Sequence, residues 1–135
     1  MFDVMDISSS ALTAMRTRMN TIAGNIANIQ TTRNAAGQSV PYRRREVVLA
    51  SGLERGDASG RGVHVAGILE DPSPFRVVPM PGHPDADANG NVHFPNVDLN
   101  AEVVSAVIAM RAYEANVAAF EASKSMISHA MRLIA

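Results

Sequence analysis

Hydrophobic residues near the two ends of the chain recur at steps of three and four, whereas those in the middle do not. The N-terminal repeat lies between Met5 and Ile29 and contains Leu12, Met15, Met19, Ile22, Ile26 and Ile29. Such steps form the apolar seam of a helix that packs on another helix. We therefore predict a helix within residues 1–30, with Asp6 or Ser8 as its cap and its end near Asn28.

The C-terminal repeat is longer and keeps its register to the end of the sequence. Its positions are Leu99, Val103, Ala106, Met110, Tyr113, Val117, Phe120, Lys124, Ile127, Met131 and Ile134. Only Lys124 among them is polar, and neither Gly nor Pro follows Pro95. A seam of this length favours a coiled coil, so we predict one long helix from about Leu99 within segment 97–135.

The middle segment, residues 31–96, has a different composition. It contains all seven prolines and every glycine except Gly24. Short β-favouring runs lie between these breakers, at residues 45–50, 62–70, 75–78 and 91–94. Runs of this kind predict short antiparallel strands joined by loops. The fold class is therefore predicted as α+β, with two long helices flanking a small β-rich insert that includes a variable loop at residues 51–62.

More apolar positions accompany the C-terminal seam than a pair of helices can cover. They are Val104, Val107, Ala118, Met126, Ala130 and Leu133. In the simplest arrangement the two seams face each other, which leaves these further positions exposed. Exposed apolar surface of this extent marks an interface. We therefore expect the helices to pack as a coiled-coil-like bundle with neighbouring subunits.

Composition narrows the possible partners. The net charge is −1 and the pI is about 6.4, which argues against a nucleic-acid-binding protein. The short basic run Arg43 to Arg45 is expected on a solvated strand edge. The absence of cysteine excludes disulfides and thiolate metal sites. The opening "MFDVMDISSS" lacks the features of a cleaved secretory signal, and no uncharged apolar stretch approaches eighteen residues, so we expect no membrane span.

The sequence contains no recognisable catalytic or cofactor-binding motif. The four histidines are not spaced as metal ligands, and no phosphate-binding loop precedes a helix. "DADANG" at residues 85–90 has the acidic alternation of a calcium loop. However, Asn96 occupies the position of the bidentate Glu, and Pro95 interrupts the loop. We predict a tight reversal at Asn89–Gly90, and no catalytic, cofactor or metal site.

Four motifs in order resemble the flagellar axial proteins. "ALTAMRTRMNTIAGNIAN" is similar to their opening helix, with its Ala-x-Asn-Ile-Ala-Asn signature at residues 23–28. "PYRRREVV", "HPDADANGNVHFPNVDLNAEV" and "RAYEANVAAFEASKSM" resemble the segments that follow in the short proximal-rod members. The resemblance covers almost the whole chain.

The resemblance implies a structural subunit rather than an enzyme, without cofactors. It also implies that the chain is part of the shaft that crosses the periplasm and is exported by the flagellar type III system. The implied partners, packed in a helical tube, are other rod subunits and the basal-body adaptor or MS-ring region. The residues expected at subunit interfaces are Leu12, Met15, Met19, Ile22, Asn25, Ile26, Asn28, Val103, Met110, Tyr113, Val117, Phe120, Lys124, Ile127 and Met131.

Some interpretations stay open on the sequence. Lys124 either pairs with a neighbour's carboxylate or extends its ammonium group into water. The asparagines at 20, 25, 28 and 116 either bond between helices or mark helix ends and surfaces. The alternatives to a proximal-rod subunit are a type III-exported adaptor, a calcium-dependent β module that Asn96 nearly excludes, and another rod protein of the same family.

Overall fold

The computed structural model describes residues 2–52 and 61–134, and it has the predicted α+β architecture. Its elements, in chain order, are α1 (Phe2–Ala27), β1 (Arg45–Ser51), β2 (Val63–Glu70), β3 (Arg76–Pro79), β4 (Asn91–Phe94) and α2 (Leu99–Ile134). Each predicted strand lies within one or two residues of an observed one. The variable loop at 51–62 falls for the most part outside the described residues, as do the side chains of Leu133 and Ile134.

Helix α1 begins earlier than the sequence suggested. Asp6 and Ser8 lie inside it, so the prediction that either caps its start is wrong. Hydroxyl groups within α1 donate to carbonyl oxygens three or four residues back, at 2.7 Å for Ser10 and 3.1 Å for Thr17. Because these hydroxyls are satisfied along the helix, the Ser- and Thr-rich sequence continues as helix instead of turning away.

Helix α2 has a side-chain cap at its start. Asp98 Oδ1 accepts the backbone N–H groups of Asn100 at 2.8 Å and Ala101 at 3.2 Å. These N–H groups have no partner within the helix, and a capping carboxylate also interacts favourably with the helix dipole. Asp98 therefore fixes the first turn of α2, directly after the Pro-Asn-Val segment.

The strands of the described residues form two separate antiparallel pairs. β1 pairs with β2 and β3 pairs with β4. The first pair has an irregularity after Val48, where β2 holds one extra residue, Ala66, between the partners of Val48 and Leu49. A bulge of this kind bends a strand and increases its twist. The bent β1–β2 ribbon packs on α1.

Helix α1 lies between α2 and the β1–β2 ribbon. Asn25, near the end of α1, donates a hydrogen bond to Glu102, near the start of α2. The two packed helices are therefore antiparallel. The buried hydrophobic core of the described residues is small, and its members are Ala14, Ile22, Val92, Val97 and Ala109. The chain therefore buries little apolar surface by itself and leaves much of α2 uncovered.

Candidate assembly surface

The most buried side chains of α2 are small or polar. Glu102, Ala109 and Ser123 are at most 4% exposed, and none of them belongs to the predicted seam. Each lies one position before a seam residue, so α2 is rotated relative to the prediction. The expectation that the two seams face each other along their length is therefore wrong in detail, since they meet only in part.

The opposite face of α2 is apolar and exposed. Over the first three turns it carries six large hydrophobic side chains that are 45–59% exposed: Leu99, Val103, Val104, Val107, Ile108 and Met110. None of the side chains exposed between Leu99 and Met110 is charged. Glu102, the one charged residue of this stretch, is buried and points to α1. Met126 and Met131 continue the exposure towards the end of the helix. We call the first six residues the α2 stripe.

The residues expected at subunit interfaces occupy three environments in the chain. Val103, Met110, Lys124 and Met131 are exposed. Ile22 and Asn25 are buried. The remaining members are partly buried: Leu12, Met15, Met19, Ile26, Asn28, Tyr113, Val117, Phe120 and Ile127. Contact with a neighbouring subunit stays a prediction for each of them, and the exposed members are the ones that a neighbour can reach directly.

Asn28 lies at a helix end, Asn20 and Lys124 lie on the surface, and Asn116 is partly buried within α2. Asn28 donates from Nδ2 to Gly24 O at 2.9 Å and accepts from the Thr31 hydroxyl at 3.1 Å, so it closes the end of α1. Asn116 donates to Ala112 O at 2.7 Å, within its own helix. Asn20 and Lys124 are exposed. Within one chain, the positions of Asn20 and Asn28 favour a role at helix ends and surfaces. The position of Lys124 favours an ammonium group that extends into water.

Asn25 is different, because all of its hydrogen-bonding capacity is used inside the chain. It is 1% exposed. Its Oδ1 accepts from the Tyr42 hydroxyl at 3.0 Å and from the Arg45 N–H at 2.9 Å. Its Nδ2 donates to Arg45 O at 2.8 Å and to Glu102 Oε2 at 3.2 Å. The asparagine of the opening-helix signature therefore joins both helices to the insert.

Glu102 is the charged member of this cluster and is also 1% exposed. Its Oε1 accepts from Arg44 Nε at 2.6 Å. Arg44 also faces Asp71 Oδ2 at 3.4 Å and Glu46 Oε2 at 3.6 Å. A buried carboxylate is tolerated when it is paired and hydrogen-bonded. Arg44 and Asn25 together supply those partners.

Asn96 connects the loop between β2 and β3 to this cluster through hydrogen bonds. Its Oδ1 accepts from the Arg44 N–H at 2.9 Å, and its Nδ2 donates to the carbonyl oxygens of Asp71 and Ser73, both at 3.2 Å. No buried side-chain nitrogen or oxygen in the described part of the chain lacks a partner. We call Asn25, Tyr42, Arg44, Asp71, Asn96 and Glu102 the polar hub.

Protonation of the hub follows from these contacts. Burial lowers the pKa of Arg44, but the hydrogen bond and the charge of Glu102 outweigh it, and the net shift is upward. The Ser73 hydroxyl and N–H donate to Asp71 and hold the pKa of that carboxyl below its ordinary value. Burial raises the pKa of the Tyr42 hydroxyl. At neutral pH, Arg44 and Asp71 are therefore charged and Tyr42 is neutral.

Arg43 and Arg44 of the basic run are folded into the chain, which corrects the expectation of a solvated strand edge for these two, whereas Arg45 is exposed at the start of β1 as expected. Arg43 donates to the carbonyl oxygens of Asp71 at 2.9 Å and Ser73 at 3.1 Å. Its guanidinium lies 4.3 Å above the centre of the Phe75 ring. Sequence reasoning missed the hub, but one signal was present. Glu102 is the only charged residue of α2 before Arg111, and a lone carboxylate among apolar residues indicates a buried pair.

The acidic residues of "DADANG" accept hydrogen bonds from groups of the chain itself. Asp85 accepts from Thr32 Oγ1 at 2.8 Å and from Arg33 Nε at 2.7 Å. Asp87 Oδ1 accepts the N–H groups of Asn89 and Asn91 at 2.8 and 2.9 Å, which closes a turn that ends at Gly90. The predicted reversal is present, but residues 80–90 form a longer loop between β3 and β4 than a tight hairpin needs.

Helix α2 is also long and apolar enough, by length and composition, to cross a membrane. The segment Leu99–Arg132 contains an 18-residue window of mean hydropathy 1.3, of which 6% is buried in the chain. No uncharged stretch of this length lies in the helix, because charged residues such as Arg111 and Glu114 interrupt it, so the expectation of no membrane span stays a prediction. A helix that other subunits cover has the same composition, so hydropathy alone does not separate the two environments.

Two models of protein families match the helical parts of the chain. "Flagella basal body rod protein" matches residues 5–33, and "Flagellar basal body rod FlgEFG protein C-terminal" matches residues 88–133. The chain is 41% identical to the flagellar basal-body rod protein FlgC of Yersinia enterocolitica, covering 98% of this chain and 97% of that protein. Its identity to FlgC of Bacillus subtilis is also 41%, with the same coverage, and to FlgC of Borreliella burgdorferi 36%. The chain belongs to the FlgC family of flagellar basal-body rod proteins.

The two family models cover some residues of the polar hub and the whole α2 stripe. Asn25 lies within the first matched segment, and Asn96, Glu102 and the α2 stripe lie within the second. Arg44 and Asp71 lie at residues 34–87, the part of the insert that neither model matches. In this FlgC-family chain the polar hub therefore joins two matched helical segments through residues of the intervening region.

Proposed function

We propose that this chain is a structural subunit of the proximal rod of the flagellar basal body, where it packs in a helical tube with copies of itself and with other rod subunits. The observation that carries the proposal is the α2 stripe, which is apolar and uncovered in the single chain. Nearly full-length similarity to curated rod proteins supports it.

The stripe suits open-ended assembly. Burial of an exposed Val, Leu, Ile or Met side chain stabilises an interface by roughly 1.5–3 kcal/mol, so several such residues favour permanent contacts. A shaft requires the same contact to repeat without closing, which heterologous contacts provide. In such a contact the stripe packs on a different surface of the neighbour.

Other subunits fit the outward face of α2 better than lipid does. Arg111 and Glu114 form an ion pair at 2.9 Å on exposed positions, and Lys124 is exposed in the second half of the helix. Charges in the middle of a helix are costly in hydrocarbon. We place the chain in the periplasmic part of the basal body, joined to the adaptor or MS-ring region and delivered by type III export.

The proposed interface is carried by the exposed members of the predicted set, Val103, Met110, Lys124 and Met131. Partly buried members of the seam contribute where a neighbour packs along the edge of the α1–α2 contact. Asn25 and Ile22 support the helix pair from inside. The chain has no catalytic task in this proposal.

The test is Val107→Asp in the source bacterium. Val107 is exposed, so the charge leaves the single chain folded but places an unpaired carboxylate in the assembled contact. We expect the protein to be made and exported while rods and hooks are absent. Electron microscopy of basal bodies and immunoblotting of the exported fraction measure both outcomes.

Ala88→Asp serves as the matched control, because it adds the same charge at an exposed turn of the insert, away from the helices. We expect normal rods from this variant. Normal rods from Val107→Asp would contradict the assembly role of the stripe. Loss of the Val107→Asp protein before export would mean that the residue acts in folding instead.

A further inference from the structure

The two helices depend on the insert for the polar part of their contact. Among the described residues they share one side-chain hydrogen bond, from Asn25 Nδ2 to Glu102 Oε2 at 3.2 Å. Every other partner of these two side chains belongs to residues 42–45. The helix pair therefore brings two buried polar groups together without satisfying them.

Closing the helices without residues 42–45 would leave those groups unpaired. Asn25 Oδ1 would lose both of its donors, the Tyr42 hydroxyl and the Arg45 N–H. Glu102 Oε1 would lose the Arg44 guanidinium. Both residues are 1% exposed with residues 42–45 in place, so this segment both covers the two polar groups and supplies their partners. A buried polar or charged group without partners is strongly unfavourable.

We propose that residues 42–45 form an interlock, such that α1 and α2 close stably only when this segment lies between Asn25 and Glu102. Asn96 holds the interlock in place through the Arg44 N–H, and Asp71 faces the Arg44 guanidinium. A chain with an unfolded insert then keeps its helices apart. The α2 stripe is presented on a closed helix pair only by a chain whose insert has folded.

The interlock is a property of one chain and does not depend on the proposed function. It is tested in the purified full-length protein by the distance between nitroxide labels at Asn20→Cys and Ala118→Cys, two exposed helix positions. The sequence has no other cysteine, so labelling is specific. Electron paramagnetic resonance distance measurement reports whether the helices are closed, as a narrow distribution, or apart, as a broad one.

The decisive comparison places Arg44→Met in two backgrounds. In the natural background we expect it to open the helices, with the closed-to-open ratio reduced roughly a hundredfold or more, because Glu102 is left buried and unpaired. In the Asn25→Leu/Glu102→Leu background the helices have no unsatisfied polar groups. We expect them to stay closed there with or without Arg44→Met.

Arg43→Met is the matched control, because Arg43 contacts Phe75 and the carbonyl oxygens of Asp71 and Ser73 but no helix residue of the hub. We expect a narrow distribution from it. Equal effects of Arg44→Met in both backgrounds would overturn the interlock. A label-to-label distance distribution in the natural chain as broad as that of Arg44→Met would also overturn it, because the hub is complete within one chain.

Discussion

Along the first three turns of α2, the face towards α1 and the face away from it differ in polarity and burial. The inner face contains a buried carboxylate, Glu102, beside the buried amide of Asn25. The outer face contains six exposed aliphatic or thioether side chains, the α2 stripe. In an ordinary surface helix the apolar residues point inward and the charged ones outward. Here the arrangement over these turns is reversed.

The difference separates two tasks. The inner face gives little hydrophobic stabilisation, because its members are small or polar, but its hydrogen bonds allow one relative position of the helices and the insert. The outer face gives the large apolar area that a neighbour can bury. The inner face therefore determines the shape of the subunit, and the outer face provides the driving force for assembly.

The largest effect is expected from Asn25→Asp. The substitution removes both amide donors and places a second carboxylate beside Glu102, whose Oε2 lies 3.2 Å from the Asn25 amide nitrogen. We expect the free energy of unfolding to fall by about 3–5 kcal/mol. Urea unfolding followed by helical circular dichroism measures it.

Asn20→Asp is the control for that change, since it makes the same substitution one turn and a half earlier on an exposed part of α1. We expect the free energy of unfolding to change by less than about 0.5 kcal/mol. Equal losses from both variants would show that α1 does not tolerate an added charge anywhere, and the special role of Asn25 would fail.

An intermediate effect is expected from Ala109→Leu, which tests how closely the inner face is packed. Ala109 is 0% exposed against α1. A larger side chain there forces the helices apart and should lower the free energy of unfolding by about 1–3 kcal/mol. Ala101→Leu adds the same atoms at an exposed position of α2 and should change it by less than about 0.5 kcal/mol. Thermal unfolding measures both variants, and equal shifts of their unfolding midpoints would contradict close packing at Ala109.

The smallest effect is expected from acid, which acts on the hub but not on the uncharged α2 stripe. The pKa of Asp71 is lowered in the folded chain from its ordinary value of 3.8. Its contribution to stability is therefore fully present above about pH 4 and is lost as the pH falls through the folded-state pKa. Asp71→Asn should flatten this part of the acid dependence. An unchanged pH profile of the unfolding midpoint would exclude Asp71 as a contributor.

The sequence predicted the helices and strands because local periodicity and breakers determine them. Leu99 was the expected start of α2, and it is the observed start. The rotation of α2 was not predictable from the seam alone. The bulky seam residues Val103 and Met110 looked like the natural partners of α1, but Ala109 and Glu102 occupy that contact. Small residues allow the helices to approach closely, and a hydrophobicity pattern does not encode that preference.

The hub was beyond local reasoning for a different reason. Its members are separated by up to 77 positions, the distance in sequence between Asn25 and Glu102. The pattern of neighbours along the chain can indicate that Glu102 is paired, but it does not identify its distant partners. Arg44 in particular looked like one of three equivalent arginines, and only the folded chain distinguishes it, through its bond to Glu102.

Both helix ends that border the insert, Ala27 and Leu99, lie at the same end of the antiparallel pair. Residues added far from the hub in the insert therefore lengthen a side branch without changing the register of the helices. A stem with a side branch of this kind provides a place where an epitope tag or a reporter peptide can be inserted.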